Sequence, residues 1–224
     1  MLINAQPNAQ QAYKKLNLDL EFNPSYGKPD VVLNHWQVPI IEGTKTYGGT
    51  KTTRVERLQI AEGKCPVMEW EVASKNPSFD EFVFKGDRKE PTVIKKEDLI
   101  DFNEGDVICK LVHPTDGTLY KIESLNGEVI LGWKSERPIV PLEKPRRSYE
   151  RELWDIPKQV IIDFKPLHDY FKENKFGYVS IDLMKDPQGV YKLIEFNDNF
   201  VAINWSSRFD VWKQRLEEII PNML

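Results

Sequence analysis

Two runs near the end of the chain, FGYVSIDLM at 176–184 and VYKLIEFN at 190–197, constrain the fold more than any other stretch. Both are dense in β-branched and aromatic residues, which suit a pleated, half-buried surface. They are separated by KDPQG, in which Asp186-Pro187 favours a turn and Gly189 tolerates positive φ. The pair predicts an antiparallel hairpin.

Side chains alternate along a strand, so Glu195 and Asn197 share one face. A pairing of Met184 near Tyr191 brings Asp182 to that face about two rungs away. Three oxygen donors then converge. Two carboxylates this close repel unless a cation lies between them. An all-oxygen set with few protein ligands suits Mg²⁺, which usually completes its octahedron with water and phosphate. The implied ligand is a metal-bound nucleotide. Acidic residues that close amphipathic strands are also common as solvated charges, and Glu-x-Asn alone does not separate the two readings.

The longer run VSIDLMKDPQGVYKLIEFNDNF resembles the closing metal-binding hairpin of ATP-grasp ligases: an Asp on one strand, a turn, then Glu-x-Asn on the next. With Asp198 and Phe200 it is similar to the Glu-x-Asn-Asp variant of small, often phage-encoded ATP-grasp proteins. The resemblance implies an α+β fold with two lobes and ATP between them. It implies Asp182, Glu195 and Asn197 as ligands of the magnesium ions that bridge the ATP phosphates. Residues 45–109 would form the first lobe and 110–224 the second. Residues 1–44 would be an N-terminal extension or a reduced region preceding the fold.

Upstream segments extend the resemblance in order. A helix over Thr53 to Glu62 closes at Gly63 and leads to the turn GKCPV, similar to the family's entry into its first nucleotide-binding lobe. Lys85, followed by Gly86, stands where the family places a phosphate-binding lysine. The covering loop departs from the pattern, since GDRKEP has one glycine and one proline instead of several glycines. It can offer fewer approaching amides, although Arg88 and Lys89 carry charge.

GDVICKLV, 105–112, is an apolar strand whose family counterpart ends at the adenine-binding hinge; Lys110 and Leu111 are the positions carried over. TLYKIESLNGEVILGWKS predicts a second hairpin from its Asn126-Gly127 turn. Lys121 stands where the family often has an arginine, on one face with Leu119, Glu123 and Leu125. The resemblance lets Lys110, Lys121 and Lys134 replace the missing glycine-rich loop, against the plainer reading of a solvated lysine face. Arg137, Arg146 and Arg147 lie in a proline- and charge-rich loop and suit a phosphate or a substrate carboxylate. Lys134 and Arg137 are the candidate catalytic cations.

Elsewhere the residues speak mainly of structure. Residues 1–30 are polar, with one short helix candidate at AQQAYKKL; DVVLNHW is a strand candidate, and His35 reads as a loop or core residue. GTKTYGG reads as a loop, with Tyr47-Gly48-Gly49-Thr50 an ordinary turn rather than a phosphate cradle. Val160, Phe164, Leu167 and Phe171 recur at helical spacing, and Pro166 is expected to kink or break that helix. SSRFDVWKQRLEEII predicts a terminal amphipathic helix with Ser206 or Ser207 capping it and Phe209, Trp212, Leu216 and Ile219 or Ile220 inward.

Composition narrows the function classes. A net charge of −4 with dispersed Lys and Arg gives no phosphate-backbone stripe, so nucleic acid is not the expected partner. Two cysteines, Cys65 and Cys109, at no metal-like spacing read as buried free thiols of a reducing compartment. No apolar run long enough for a membrane span and no secretory leader pattern occur, so the chain reads as soluble and cytoplasmic.

The resemblance implies ligase chemistry. A small-molecule or peptide carboxylate attacks the γ-phosphate of ATP, an acylphosphate forms, and an amine displaces phosphate. Two rivals stand beside it: a non-catalytic relative that binds nucleotide or serves as an interaction module, and a small-molecule kinase on the same fold.

Overall fold

A computed structural model describes residues 3–5, 30–33, 42–47, 52–85, 92–96, 106–110, 117–136, 152–197 and 206–223. The helix candidate at 9–16 and the GDRKEP loop lie outside these residues, as do Leu111, Arg137, Arg146, Arg147, Asp198 and Phe200.

Three sheets organise the described chain. Strands β1 (Ile3–Ala5), β2 (Val31–Leu33) and β3 (Lys45–Tyr47) form a parallel sheet in that order. Part of GTKTYGG is therefore a strand rather than a loop. Tyr47 alternates inward there, and its hydroxyl donates 2.8 Å to the Met223 carbonyl at the far end of the chain.

The second sheet holds β4 (Trp70–Val72), β5 (Glu81–Lys85), β6 (Thr92–Lys95) and β7 (Val107–Lys110), in the order β4-β7-β5-β6 with antiparallel neighbours. The third holds β8 (Thr118–Leu125), β9 (Glu128–Glu136), β10 (Glu152–Leu153), β11 (Tyr178–Lys185) and β12 (Tyr191–Asn197), antiparallel in the order β10-β9-β8-β11-β12. Both expected hairpins are present. Asn126 and Gly127 have φ of 51° and 75°, the paired positive values that a two-residue turn matching strand twist requires. The turn presses on a helix, since a Cβ at Gly127 would lie 2.4 Å from the His168 carbonyl oxygen.

Helix α1 (Arg54–Ala61) starts at a reciprocal cap: Glu56 N donates to Thr53 Oγ1 at 3.2 Å, and Thr53 N donates to Glu56 Oε2 at 2.6 Å. These bonds hold the Glu56 carboxyl below its ordinary range. Thr53→Ala is expected to cost about 1 kcal/mol, read as a lower urea midpoint with unchanged slope.

Helix α2 (Lys158–Glu173) runs through Pro166 without the break that was one of the two expected outcomes. The carbonyl that loses its donor belongs to Ile162, which is 53% exposed and so open to water. Val160, Phe164, Leu167 and Phe171 are buried along the inner stripe, each stabilising by about 1.5–3 kcal/mol, and this packing offsets one missing bond. Helix α3 (Ser206–Ile219) continues into a 3₁₀ turn over Ile220–Met223; Leu216, Ile219 and Ile220 are buried.

A buried core joins α1, β7, α2 and the third sheet, and Phe82 and Ile108 form a separate cluster. The core takes Leu58 and Ala61 from α1, Val107 and Cys109 from β7, the α2 stripe, and Ile122, Ile181, Leu193 and Phe196 from the third sheet. Strand alternation then leaves Lys121, Glu123, Ser180, Asp182, Glu195 and Asn197 on the opposite face of that sheet.

Candidate functional site

The hairpin β11-β12 is out of register with the simplest expectation. Met184 pairs with Lys192, not Tyr191, and Leu183 pairs with Leu193. A bulge follows in which Ile194 is the extra residue, so Asp182 pairs directly with Glu195 and Ser180 with Asn197. The inserted residue returns both acidic positions to one face and removes the two-rung offset.

Next to this pair stands a cation. Lys121 on β8 is the other cross-strand partner of Asp182, and its Nζ lies 2.7 Å from Asp182 Oδ1. The side chains are 10% and 15% exposed. The approach lies off the hydrogen-bonding direction, so the contact is an ion pair without an aligned donor on Oδ1. Trp133, opposite Lys121 on β9, sets its ring 5.3 Å from the same Nζ and donates its indole N–H to the buried Glu123 at 2.9 Å.

Arg57 completes the arrangement from α1. One guanidinium nitrogen donates to Asn197 Oδ1 and to the Phe196 carbonyl, each at 2.9 Å. That contact fixes the amide, whose Nδ2 turns to Glu195 Oε1 at 3.3 Å. The turn after α1 braces the same strand: Leu193 N donates to the Pro66 carbonyl at 2.8 Å, and Met68 N to the Leu193 carbonyl at 2.9 Å. GKCPV thus leads into the outer neighbour of β12. Cys65 in this turn is half-buried, and burial pushes its thiol up to about 12, so it is a poor nucleophile.

The donor chemistry fits magnesium. Two carboxylates face each other across adjacent strands with an amide oxygen on the same side, all hard donors. Among the described residues no group of three His, Cys, Asp or Glu side chains that could hold a metal ion occurs. The Asn197 oxygen keeps a second lone pair beyond the one used by Arg57.

The predicted lysines do not converge. Lys121 joins the hairpin face, but Lys134 is opposite Tyr120, on the other face of the sheet, and pairs with Glu152 at 3.3 Å. Lys110 ends β7 and pairs with Glu69 at 2.9 Å, half-exposed. Alternation along β9 sets Lys134 apart, because it immediately follows the inward Trp133. Lys85 ends β5, opposite Val107. A cavity of about 1040 Å³ opens where β7 ends, lined by Glu69, Phe79, Glu81, Lys95, Lys96 and Lys110 among others; the hairpin donors are not in its lining.

Sequence reasoning missed Arg57, Trp133 and Ser180. The resemblance expects a basic residue on this helix but does not choose between Arg54 and Arg57, and the partner that singles out Arg57 is 140 positions away. Ser180 is fully buried beside the acidic pair with no partner for its hydroxyl, a placement that alternation from Asp182 already contained.

No protein-family model matches the sequence, and no curated protein matches it. Solved structures do match. The ATP-grasp ligase PsnB complexed with its minimal precursor aligns with a TM-score of 0.65 at 12% identity, over 99% of this chain and 98% of that one. The macrocyclase MdnC from Microcystis aeruginosa MRC, bound with precursor peptide MdnA, gives 0.65 at 12% over 99% and 100%. The D-alanine-D-alanine ligase from Bacillus anthracis complexed with ATP gives 0.62 at 13% over 100% and 97%. With its two antiparallel sheets, its helices and the acidic hairpin in place, the chain has the ATP-grasp fold.

Proposed function

We propose that the chain is an ATP-dependent carboxylate-amine ligase that forms a peptide-like bond through an acylphosphate, with Mg-ATP held between two lobes. The observation that carries this reading is the direct pairing of Asp182 with Glu195, with Asn197 on the same face, in a fold that solved ligases share. Magnesium bound there supplies charge neutralisation on the β- and γ-phosphates. Asp182, Glu195 and Asn197 would hold and orient it, Arg57 steadies Asn197, and Lys121, on the adjacent strand opposite Asp182, would meet the phosphates. Lys85, Lys110 and Leu111 belong to the first-lobe side of the nucleotide, and Arg137 to the acceptor side. Lys134, on the opposite face of the sheet and paired with Glu152, is left out of this assignment.

A small-molecule or peptide carboxylate and an amine are the substrate classes. PsnB and MdnC are complexed with precursor peptides, and DcsG is a D-cycloserine synthetase. Among the described residues no helix is long and apolar enough to cross a membrane.

Mg-ATP is expected to raise the melting temperature by several degrees over ATP with chelator, because a ligand at a hundred times its Kd stabilises the native state by about 2.7 kcal/mol. No metal-dependent shift overturns the nucleotide reading. Product analysis then divides the rest: ADP with an amide supports the ligase, and ADP with a stable phosphoester supports a kinase. Metal-dependent binding without turnover supports a non-catalytic relative. The last has an observation in its favour, since Lys110 and Lys134 are both paired with carboxylates of the chain itself.

A further inference from the structure

Asp182 has two claimants. On one side stands Glu195, a like charge directly opposite on β12; on the other stands Lys121, directly opposite on β8. Like charges in cross-strand register destabilise a sheet, and in a poorly solvated position the cost rises. The Lys121 ammonium, 2.7 Å from Asp182 Oδ1 and backed by the Trp133 ring, places a positive charge against Asp182. It does so by proximity and not through an aligned hydrogen bond.

We propose that Lys121 is an internal counter-ion that makes metal binding at Asp182 and Glu195 conditional on nucleotide. This rests on the Mg-nucleotide reading of the site. A divalent cation entering alone must take Asp182 from Lys121 and then sit beside a buried ammonium that has lost its partner. Removing one member of a buried ion pair leaves an uncompensated charge, which is the costly outcome. A nucleotide arriving with the metal changes the balance, because its phosphate oxygens receive the ammonium. The two ligands are thereby coupled, and the coupling is reciprocal: metal improves nucleotide binding by the factor by which nucleotide improves metal binding. Lys121 is a positioning and charge-balancing residue in this account.

The test titrates the full chain with Mn²⁺, counting free ion by electron paramagnetic resonance, with and without ADP. For the native chain, weak binding of Mn²⁺ alone is expected, tightening on the order of tenfold to a hundredfold with ADP. Lys121→Met is expected to bind Mn²⁺ alone at least about tenfold more tightly than the native chain, to lose most of the ADP effect, and to gain thermal stability as Mn²⁺ is added. Lys121→Arg, which keeps the cation, is expected to behave as the native chain. Adding Glu195→Gln to Lys121→Met is expected to abolish the gained affinity, which places the ion at this pair.

A gain of affinity is not what misfolding produces. Unchanged or weaker Mn²⁺ binding by Lys121→Met overturns the proposal while leaving the nucleotide reading intact if ADP binding by the native chain is still metal-dependent. No metal-dependent ADP binding by the native chain overturns both.

Discussion

Glu195→Gln is expected to lower Mg-ATP-dependent turnover on the order of a hundredfold or more, the scale on which one preorganised electrostatic group contributes to an active site. The melting temperature should hold or rise slightly. Glu195 faces Asp182 in direct register, so replacing one of two like charges by a neutral isostere relieves repulsion while keeping the side-chain volume. Asn197 Nδ2 keeps an acceptor in the amide oxygen of the substituted side chain, and Arg57 keeps its hold on Asn197 Oδ1. Steady-state kinetics beside a melting curve separate this outcome from general destabilisation. Turnover within a few-fold of the native value rejects Glu195 as a metal ligand, and a collapse of the melting temperature rejects the claim that its charge serves the site and not the fold.

Acid should unfold the protein earlier than its carboxylates alone predict, because of His168. Its ring is buried on α2 with both nitrogens lacking partners, edge-on to Phe171 at 6.0 Å. Burial lowers its pKa from 6.5 to about 4, against the weaker opposing pull of Asp169 and Glu128. Between those two values the unfolded chain takes up a proton that the folded chain refuses, so folding stability falls as pH drops through the window. The loss approaches about 3 kcal/mol near pH 4 and is absent above about pH 7. His168→Phe keeps a flat ring in the site and cannot be protonated. Urea unfolding at pH 7 and pH 5 is expected to give a smaller stability loss for this variant than for the native chain. Equal losses would show that His168 is not the acid-sensitive group.

The architecture was readable wherever local chemistry is decisive. Asn126-Gly127 demanded a hairpin, the run from Thr53 to Gly63 marked a helix, and the α2 stripe marked a buried face. Reading failed where tertiary contacts override local preference. Pro166 is tolerated because the carbonyl it leaves without a donor belongs to the exposed Ile162, and Lys45–Tyr47 is a strand because β2 lies beside it.

The site divided in the same way. Asp182, Glu195 and Asn197 were legible as a set, but their register depended on a bulge at Ile194 that no residue type announces. Lys121, Lys110 and Lys134 looked equivalent in sequence; one position of alternation sets Lys134 behind the sheet, and Glu69 holds Lys110. Arg57 could not be told from Arg54 on the same helix, because what singles it out is a partner 140 positions away.

The short segment Pro66–Met68 beside β12 has a consequence for solubility. An outermost strand with unpaired amides is a template on which another chain can build, and β12 is apolar enough on its core side to invite this. The chain covers that border with its own backbone through Val67 and Leu193, and Pro66 contributes an acceptor without a donor. At the opposite border β10 is only two residues long, with Glu152 exposed. Loosening the turn at Gly63–Pro66 should therefore show first as concentration-dependent association of copies through β12, before any loss of the core.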